Sequence, residues 1–345
     1  MTKNYSSLRK TIVDVAEKAG VSLGTVSRVI NKDVHVAPQT RERVENVMSE
    51  MGYVANRQAR SLKGSKTNVI GALVPDLGTG YIGEIMHGID SELALSQLDL
   101  MLFTTHRAAT KEASYVANLV QGMVDGLLIV LPRNPADYTG ALAHRNFPFV
   151  LIDHQGTGEL CPSVGATNWQ GAYNATEYLI KIGHKRIGFI SGAMDLGAAV
   201  DRLDGYRAAL RAHHIDYDTL LVYNGTFFQP DGYAGSLALL GTDRPPTAIF
   251  ASNDVMAMGV MDAVRSHSLR VPEDISIVGF DDIPQAELVR PALTTVRQPL
   301  EQMGRVATQM LLDMLKSPEK KFNRIELPTE LRIRSSTQSL NGRAG

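Results

Sequence analysis

The chain has 345 residues, is 44% hydrophobic and carries a net charge of −1. Its length exceeds what one core usually supports, so more than one domain is expected. The single cysteine, Cys161, excludes a disulfide framework and a cysteine-built zinc site; no apolar run is long enough for a membrane span or an export signal, so a cytoplasmic protein is expected.

Charge is divided along the chain. Residues 1–66 hold 12 Lys and Arg against 6 Asp and Glu, a net of +6; the remainder holds 23 against 30, a net of −7. A basic head on an acidic body attracts phosphate at one end only.

Residues 11–31, TIVDVAEKAGVSLGTVSRVIN, read as two short helices and a tight turn, the unit that sets a helix in the DNA major groove. Thr11 and Asp14 form a capping-box pattern, and Ile12, Val15, Ala16 and Ala19 supply an apolar face. Gly20 suits the positive φ that ends a helix, and Ser22 suits the cap of the next. With Val26, Val29 and Ile30 turned inward, Leu23, Gly24, Thr25, Ser27 and Arg28 form an outward face that is short except for one guanidinium. Residues 38–51 continue as a third helix, with Pro38 at its first position and Gly52 to stop it. A small all-α helix-turn-helix domain is therefore expected over 1–52. The stretch 53–67 reads as a hinge: basic, with Val54, Ala59 and Leu62 as its few apolar residues, and expected to order only on binding.

From Asn68 the pattern changes. VIGALV, LMLF, GLLIV, FVLI, RIGFI, AIFAS and SIVGF are short aliphatic runs, separated by helical stretches near 81–97, 111–123, 170–182, 202–213, 230–240 and 254–267. Such alternation predicts parallel sheets covered on both faces, and its length predicts two doubly wound α/β lobes.

GTGYIG at Gly78–Gly83 matches a dinucleotide-binding pattern, but Pro75, Asp76 and Leu77 separate it from the strand, so it reads as a strand-end loop facing a cleft. Polar residues at strand ends carry more: Asp153 after FVLI, Asn253 and Asp254 after AIFAS, Asp281 and Asp282 after SIVGF. Ligands of open α/β sheets bind beyond these ends. Arg202 opens a helix within reach, and Tyr81, Trp169 and Phe227 offer aromatic faces to a ring. Capping the following helix is the competing role for each acid, and Asp254 and Asp282 are expected to be caps or lobe-joining groups. G-x-S-x-G, H-E-x-x-H and G-x-x-x-x-G-K-[ST] are all absent, His184 reads as structural, and adjacent His213 and His214 point apart. No enzyme activity, metal or cofactor is expected.

In order along the chain, TIVDVAEKAGVSLGTVSRVIN, YVANRQARSLKG, VIGALVPDL, VDGLLI, VLIDH, YLIKIGHKRIGFISG, RLDGYRAAL, FASNDVMAMGVMDAV, LRVPEDISIVGFDDI and LTTVRQPLEQMG resemble the LacI/GalR family of bacterial transcription regulators. The resemblance implies a periplasmic-binding-protein-like body at 68–345. Lobe one is expected near 68–165 and 298–328, and lobe two near 166–297 and 329–340. It implies a homodimer that binds a pseudo-palindromic operator in double-stranded DNA, and a sugar-like small-molecule effector. A repressor of carbohydrate-utilisation genes is therefore expected; a sugar-binding or sugar-processing protein with an incidental basic head is the alternative. By position, Leu23, Gly24 and Arg28 match base-reading residues, Asn31 and His35 nearby DNA contacts, and Leu62 the hinge leucine that wedges into the minor groove beside Ala59. Thr11, Thr25, Ser27, Asn56 and Arg57 complete the expected DNA-facing set. Asp153, Arg202, Asn253, Asp281 and Gln298 match effector contacts, and Tyr81 and Phe227 match wall positions. Gly24, Ala37 in place of a Ser or Thr cap, and Thr167 before Asn168 depart from the family pattern. The stretch from Ser335 carries no leucine heptads, so the tetramerising extension of some relatives is not expected.

Overall fold

The computed structural model describes residues 10–30, 33–53, 66–154 and 161–340. The chain divides into two compact units, Met1–Thr67 and Asn68–Gly345.

The first unit holds helices α1 (Ile12–Ala19), α2 (Leu23–Ile30) and α3 (Pro38–Met51). Val15, Ala16, Ala19, Val26, Val29, Val44 and Val47 are buried between them, with Ile12, Ile30, Met48 and Met51 at the margin. A core this small leaves helix ends to carry much of the local order. Thr11 and Asp14 make the full capping box, and Gly20 ends α1 at φ 64°. The Ser22 hydroxyl accepts from the Thr25 amide at 3.1 Å and caps α2. Ala37 gives α3 no side-chain cap; Pro38 starts it instead.

The second unit runs β1 (Val69–Val74), α4 (Gly80–Leu95), β2 (Asp99–Thr104), α5 (Ala109–Leu119), β3 (Gly126–Val130), α6 (Ala136–His144), β4 (Phe149–Ile152) and β5 (Ser163–Ala166). It continues with α7 (Asn168–Lys181), β6 (Ile187–Ser191), α8 (Gly197–Ala212), β7 (Val222–Asn224), α9 (Gln229–Leu240), β8 (Ala248–Ala251), α10 (Asp254–Ser266) and β9 (Ser276–Asp281). It closes with α11 (Gln285–Leu288), β10 (Thr294–Arg297), α12 (Leu300–Lys316), β11 (Ile325–Leu327) and β12 (Glu330–Arg332). The strands form two six-stranded sheets, ordered β11-β5-β4-β3-β1-β2 and β12-β10-β9-β8-β6-β7. Every pairing is parallel except β10 with β12. The inner strands are buried along their whole length because helices cover both faces, which explains their unbroken aliphatic runs.

Each sheet centres one lobe, and the chain crosses between lobes three times: after Ala166, after Arg297 and after Leu327. The first and third crossings hold each other. Thr167 N donates to Leu327 O at 3.0 Å, and Thr329 N donates to Thr167 Oγ1 at 2.9 Å. Thus Thr167, a departure from the family pattern, serves at the crossing. In lobe one α4 lies against α12 at a distance only glycine permits: a Cβ on Gly88 would fall 2.0 Å from Glu301 O.

Sequence reading located the central strands but not α6, α11, α12, β5, β7, β10, β11 or β12. The helix expected at 111–123 stops at Leu119, because Val120 caps it and Gly122 turns at φ 89°.

Candidate functional site

Two surfaces carry chemistry, one in each unit. In the first, α2 turns Val26 and Val29 inward and leaves Leu23, Gly24 and Arg28 exposed, Leu23 at 43%. Thr25 and Ser27 are half-buried beside them, Thr25 being held to the Ser22 hydroxyl at 2.9 Å. Thr11 is engaged with Asp14, whose carboxylate these hydrogen bonds hold below the usual range. His35 is exposed, with Nδ1 2.9 Å from Asp33 Oδ1. Asn31, Asn56, Arg57, Ala59 and Leu62 lie outside the described residues.

In the second unit a cleft opens at the carboxyl ends of both sheets. From lobe one it is lined by Tyr81, Arg107, Leu131, Arg133 and Asp153; from lobe two by Leu196, Ala198, Arg202, Phe227, Asn253 and Asp281. Backbone strain gathers here: Arg107, Leu131, Asp153, Phe227 and Asp281 all have positive φ, from 50° at Leu131 to 113° at Asp281. Non-glycine residues hold that conformation only where the surroundings over-determine it, a mark of functional loops.

The floor is a buried polar network. Tyr81 donates its hydroxyl to Asp153 Oδ2 at 2.7 Å, while Asp153 Oδ1 is buried without a hydrogen-bond partner. Burial and the Asp153 charge push the Tyr81 hydroxyl well above its usual range. Arg202 donates from Nε to Asn168 Oδ1 at 2.8 Å and from Nη1 to Ser252 O, lies 3.5 Å from Asp281 Oδ1, and packs 3.9 Å from the centre of the Phe280 ring. Gln298 donates to Asp281 Oδ1 at 2.7 Å, and its own Oε1 is buried and unpartnered. Burial raises the Asp281 carboxyl to about 7, against the downward pull of Arg202 and Gln298. Asn253 caps α10 through the Met256 amide at 2.8 Å and donates to Phe227 O at 3.2 Å. The Phe227 ring lies so close over Gly192 that a Cβ there would sit 1.9 Å from it.

Of the expected effector residues, Tyr81, Asp153, Arg202, Phe227, Asn253 and Asp281 line the cleft, and Gln298 stands behind Asp281. Trp169 does not join them: it is exposed and stacks on Tyr173 at 5.4 Å, one turn along α7. Asp254 is fully buried; it accepts from Thr295 Oγ1 at 2.5 Å and from the Ile283 amide at 2.9 Å, and Ile283 packs into the lobe-one core. Both partners lie in the same lobe as Asp254, and burial raises its carboxyl well above the usual range. Asp282 pairs with Arg297 and Arg334, at 2.6 and 2.7 Å. His184 bridges Thr247 Oγ1 and Gln338 O at 2.9 and 3.2 Å. Sequence reading missed Arg107 and Arg133, although both follow strand ends as Asp153 does.

Among the described residues no helix is long and apolar enough to cross a membrane, and no group of three or more His, Cys, Asp or Glu could hold a metal.

Residues 11–56 match the family described as bacterial regulatory proteins, lacI family, and residues 176–337 match a periplasmic binding protein-like domain. The HTH-type transcriptional repressor PurR of Vibrio atlanticus is 34% identical over 332 residues, covering 96% of this chain and 99% of the relative. The repressor of the same name from Proteus mirabilis is 37% identical over 328 residues, covering 94% and 96%. Among solved structures, a lac repressor dimer bound to operator and the anti-inducer ONPF superposes with a TM-score of 0.81 at 30% identity, covering 95% of this chain and 99% of that one. A complex of the transcriptional regulator CelR with cellobiose superposes at 0.73 with 34% identity, covering 95% and 100%. With helix-turn-helix, two-lobed body and near full-length identity in agreement, the chain belongs to the LacI family, as a DNA-binding transcriptional repressor with an effector-binding domain.

Proposed function

We propose that this repressor acts in the cytoplasm as a homodimer on a pseudo-palindromic operator, and that a sugar-like effector bound between its lobes controls the complex. The observation that carries the effector reading is the cleft floor: Asp153 Oδ1 is a buried acceptor with no partner among the described residues, and a buried acceptor calls for a donor. Vicinal hydroxyls supply donors in pairs, while Arg202 and Asn253 complement their oxygens and Phe227 faces the ring. The cellobiose-bound neighbour supports this, as does a LacI-family regulator from Enterococcus faecium with bound ribose, at 28% identity and TM-score 0.72. The name PurR, borne by the curated relatives above, supports repression rather than a carbohydrate target.

At the head, Leu23, Gly24, Thr25, Ser27 and Arg28 meet the major groove, with Asn31 and His35 beside them. The hinge, where Asn56, Arg57, Ala59 and Leu62 stand, enters the minor groove, and Leu62 wedges a base step there at a cost of a few kcal/mol. The effector changes operator affinity only by its differing affinity for two lobe arrangements.

The test is thermal unfolding of the protein against sugars, sugar phosphates and purine bases. A ligand at 100 times its Kd stabilises by about 2.7 kcal/mol. Stabilisation by a sugar-like compound that also changes operator affinity supports the reading. Stabilisation by bases alone overturns its carbohydrate part.

A further inference from the structure

We propose that the mouth of the cleft is an anion subsite and that the effector is an acidic sugar. Its phosphate or carboxylate docks on Arg107 and Arg133 while its hydroxyls meet Asp153, Asn253 and Asp281. This rests on the sugar-like reading above and narrows it.

Arg107 follows β2 and Arg133 follows β3, so both guanidiniums stand on the lobe-one side of the cleft, their side chains 25% and 23% exposed. A guanidinium has five N–H donors. Arg107 gives one to Asp76, and Arg133 gives one to Asp195. Arg202 is different: it lies at the floor, committed to Asn168, Ser252 and Asp281. The nearby buried carboxylate, Glu112, does not compete for the guanidiniums. Its oxygens accept from the Tyr138 hydroxyl at 2.6 Å and from the Arg133 backbone amide at 3.2 Å. Asp195 is 55% exposed, so its pair with Arg133 is a near-surface one of small worth, open to exchange with a better-placed anion. Arg107 lies 4.0 Å from the centre of the Phe228 ring, which fixes the plane of its fork. Two such forks suit the planar, bidentate recognition of phosphate or carboxylate.

The surroundings favour negative charge at this end. Thr79 and Leu196, the N-cap residues of α4 and α8, both line the cleft, and neither makes a side-chain cap bond. The partial positive charge of these helix ends adds to that of the arginines. Among the described residues, three guanidiniums and two carboxylates line the cleft. The unpartnered Asp153 Oδ1 marks the other end as the one that receives hydroxyl donors. Since Arg133 reaches across the cleft to Asp195, an anion on Arg133 competes with a bond between the lobes, which ties the charged group to the switch.

The experiment is titration calorimetry on the full chain with matched sets: glucose, glucose 6-phosphate and glucuronate; ribose and ribose 5-phosphate; fructose and its phosphates. The expected result is an acidic member that binds at least tenfold tighter than its neutral parent. That ratio falls toward one in the Arg107→Met/Arg133→Met double variant and at high salt. The phosphate and carboxylate arms tell which anion is preferred. A neutral parent that binds as tightly as its acids, or a preference that survives unchanged in the double variant, overturns the subsite while leaving a sugar effector standing. If no member binds and purine bases do, the sugar reading fails as well. The comparison of ligands is made first on the unaltered protein, so it does not depend on the variant folding.

Discussion

Asp281 gives this cleft a measurable pH dependence. The carboxyl ends β9 at φ 113°, buried, with Gln298 and Arg202 on its Oδ1. Burial raises it to about 7 from the usual 3.8. Between those values the folded chain holds a proton at Asp281 that the unfolded chain has released, so stability falls as pH rises through the interval. At about 1.4 kcal/mol per pH unit, the interval is worth a few kcal/mol of stability. For a unit of this size that corresponds to a fall in Tm of roughly 5–10 °C. Asp254 is also raised, so its contribution runs in the same direction and part of the slope survives loss of Asp281. Asp281→Asn keeps the shape and removes the titration. Differential scanning calorimetry from pH 5 to pH 7 should show the slope of the wild-type protein reduced by up to half in the variant, with the two closest in Tm at pH 5. An unchanged slope would show that Asp281 does not hold a proton in the folded state, and the account of the cleft floor would be wrong.

Gly192→Ala places a methyl where the Phe227 ring lies, so the ring is expelled into the cleft; effector affinity should fall at least tenfold by calorimetry while operator affinity without effector stays unchanged. Thr11→Ala removes the hydroxyl half of the α1 capping box and should destabilise the first unit by about 0.5–2 kcal/mol in chemical denaturation followed by circular dichroism. Arg28→Ala should weaken operator binding by about 1–3 kcal/mol in a gel shift if the exposed guanidinium reads a guanine edge, with a smaller loss on random DNA.

What could be read from residues alone follows the physics of each element. The central strands β1, β3, β4, β8 and β9 are apolar throughout because both faces are covered, and that signal is local. β11 and β12 are three-residue strands whose partners lie far away in sequence, so no local pattern marks them. Helix α12 has a clear apolar stripe, but its place in lobe one came only with the family resemblance, because the chain has already crossed before it and the packing against α4 is not local. The cleft was legible wherever a polar residue interrupts the end of an apolar strand, as at Asp153, Asn253 and Asp281. Arg107 and Arg133 carry the same positional signal at a longer remove from the strand, and a charged residue in a loop reads first as solvated surface. Trp169 suggested a ring-stacking wall by its chemistry, yet its position at the start of α7 turns it onto Tyr173.

The central claim is that a ligand held between the lobes controls the grip of the helix-turn-helix on DNA. The direct measurement is fluorescence anisotropy on an operator selected by this protein from random DNA, with and without the effector, for the wild-type chain and for Arg202→Ala, which removes the guanidinium joining Asn168, Ser252 and Asp281. Wild-type operator affinity should change by about tenfold or more, equivalent to about 1.4 kcal/mol of coupling. In Arg202→Ala that change should disappear while affinity without effector is kept. A variant that retains the full wild-type change would place the controlling site elsewhere and contradict the account.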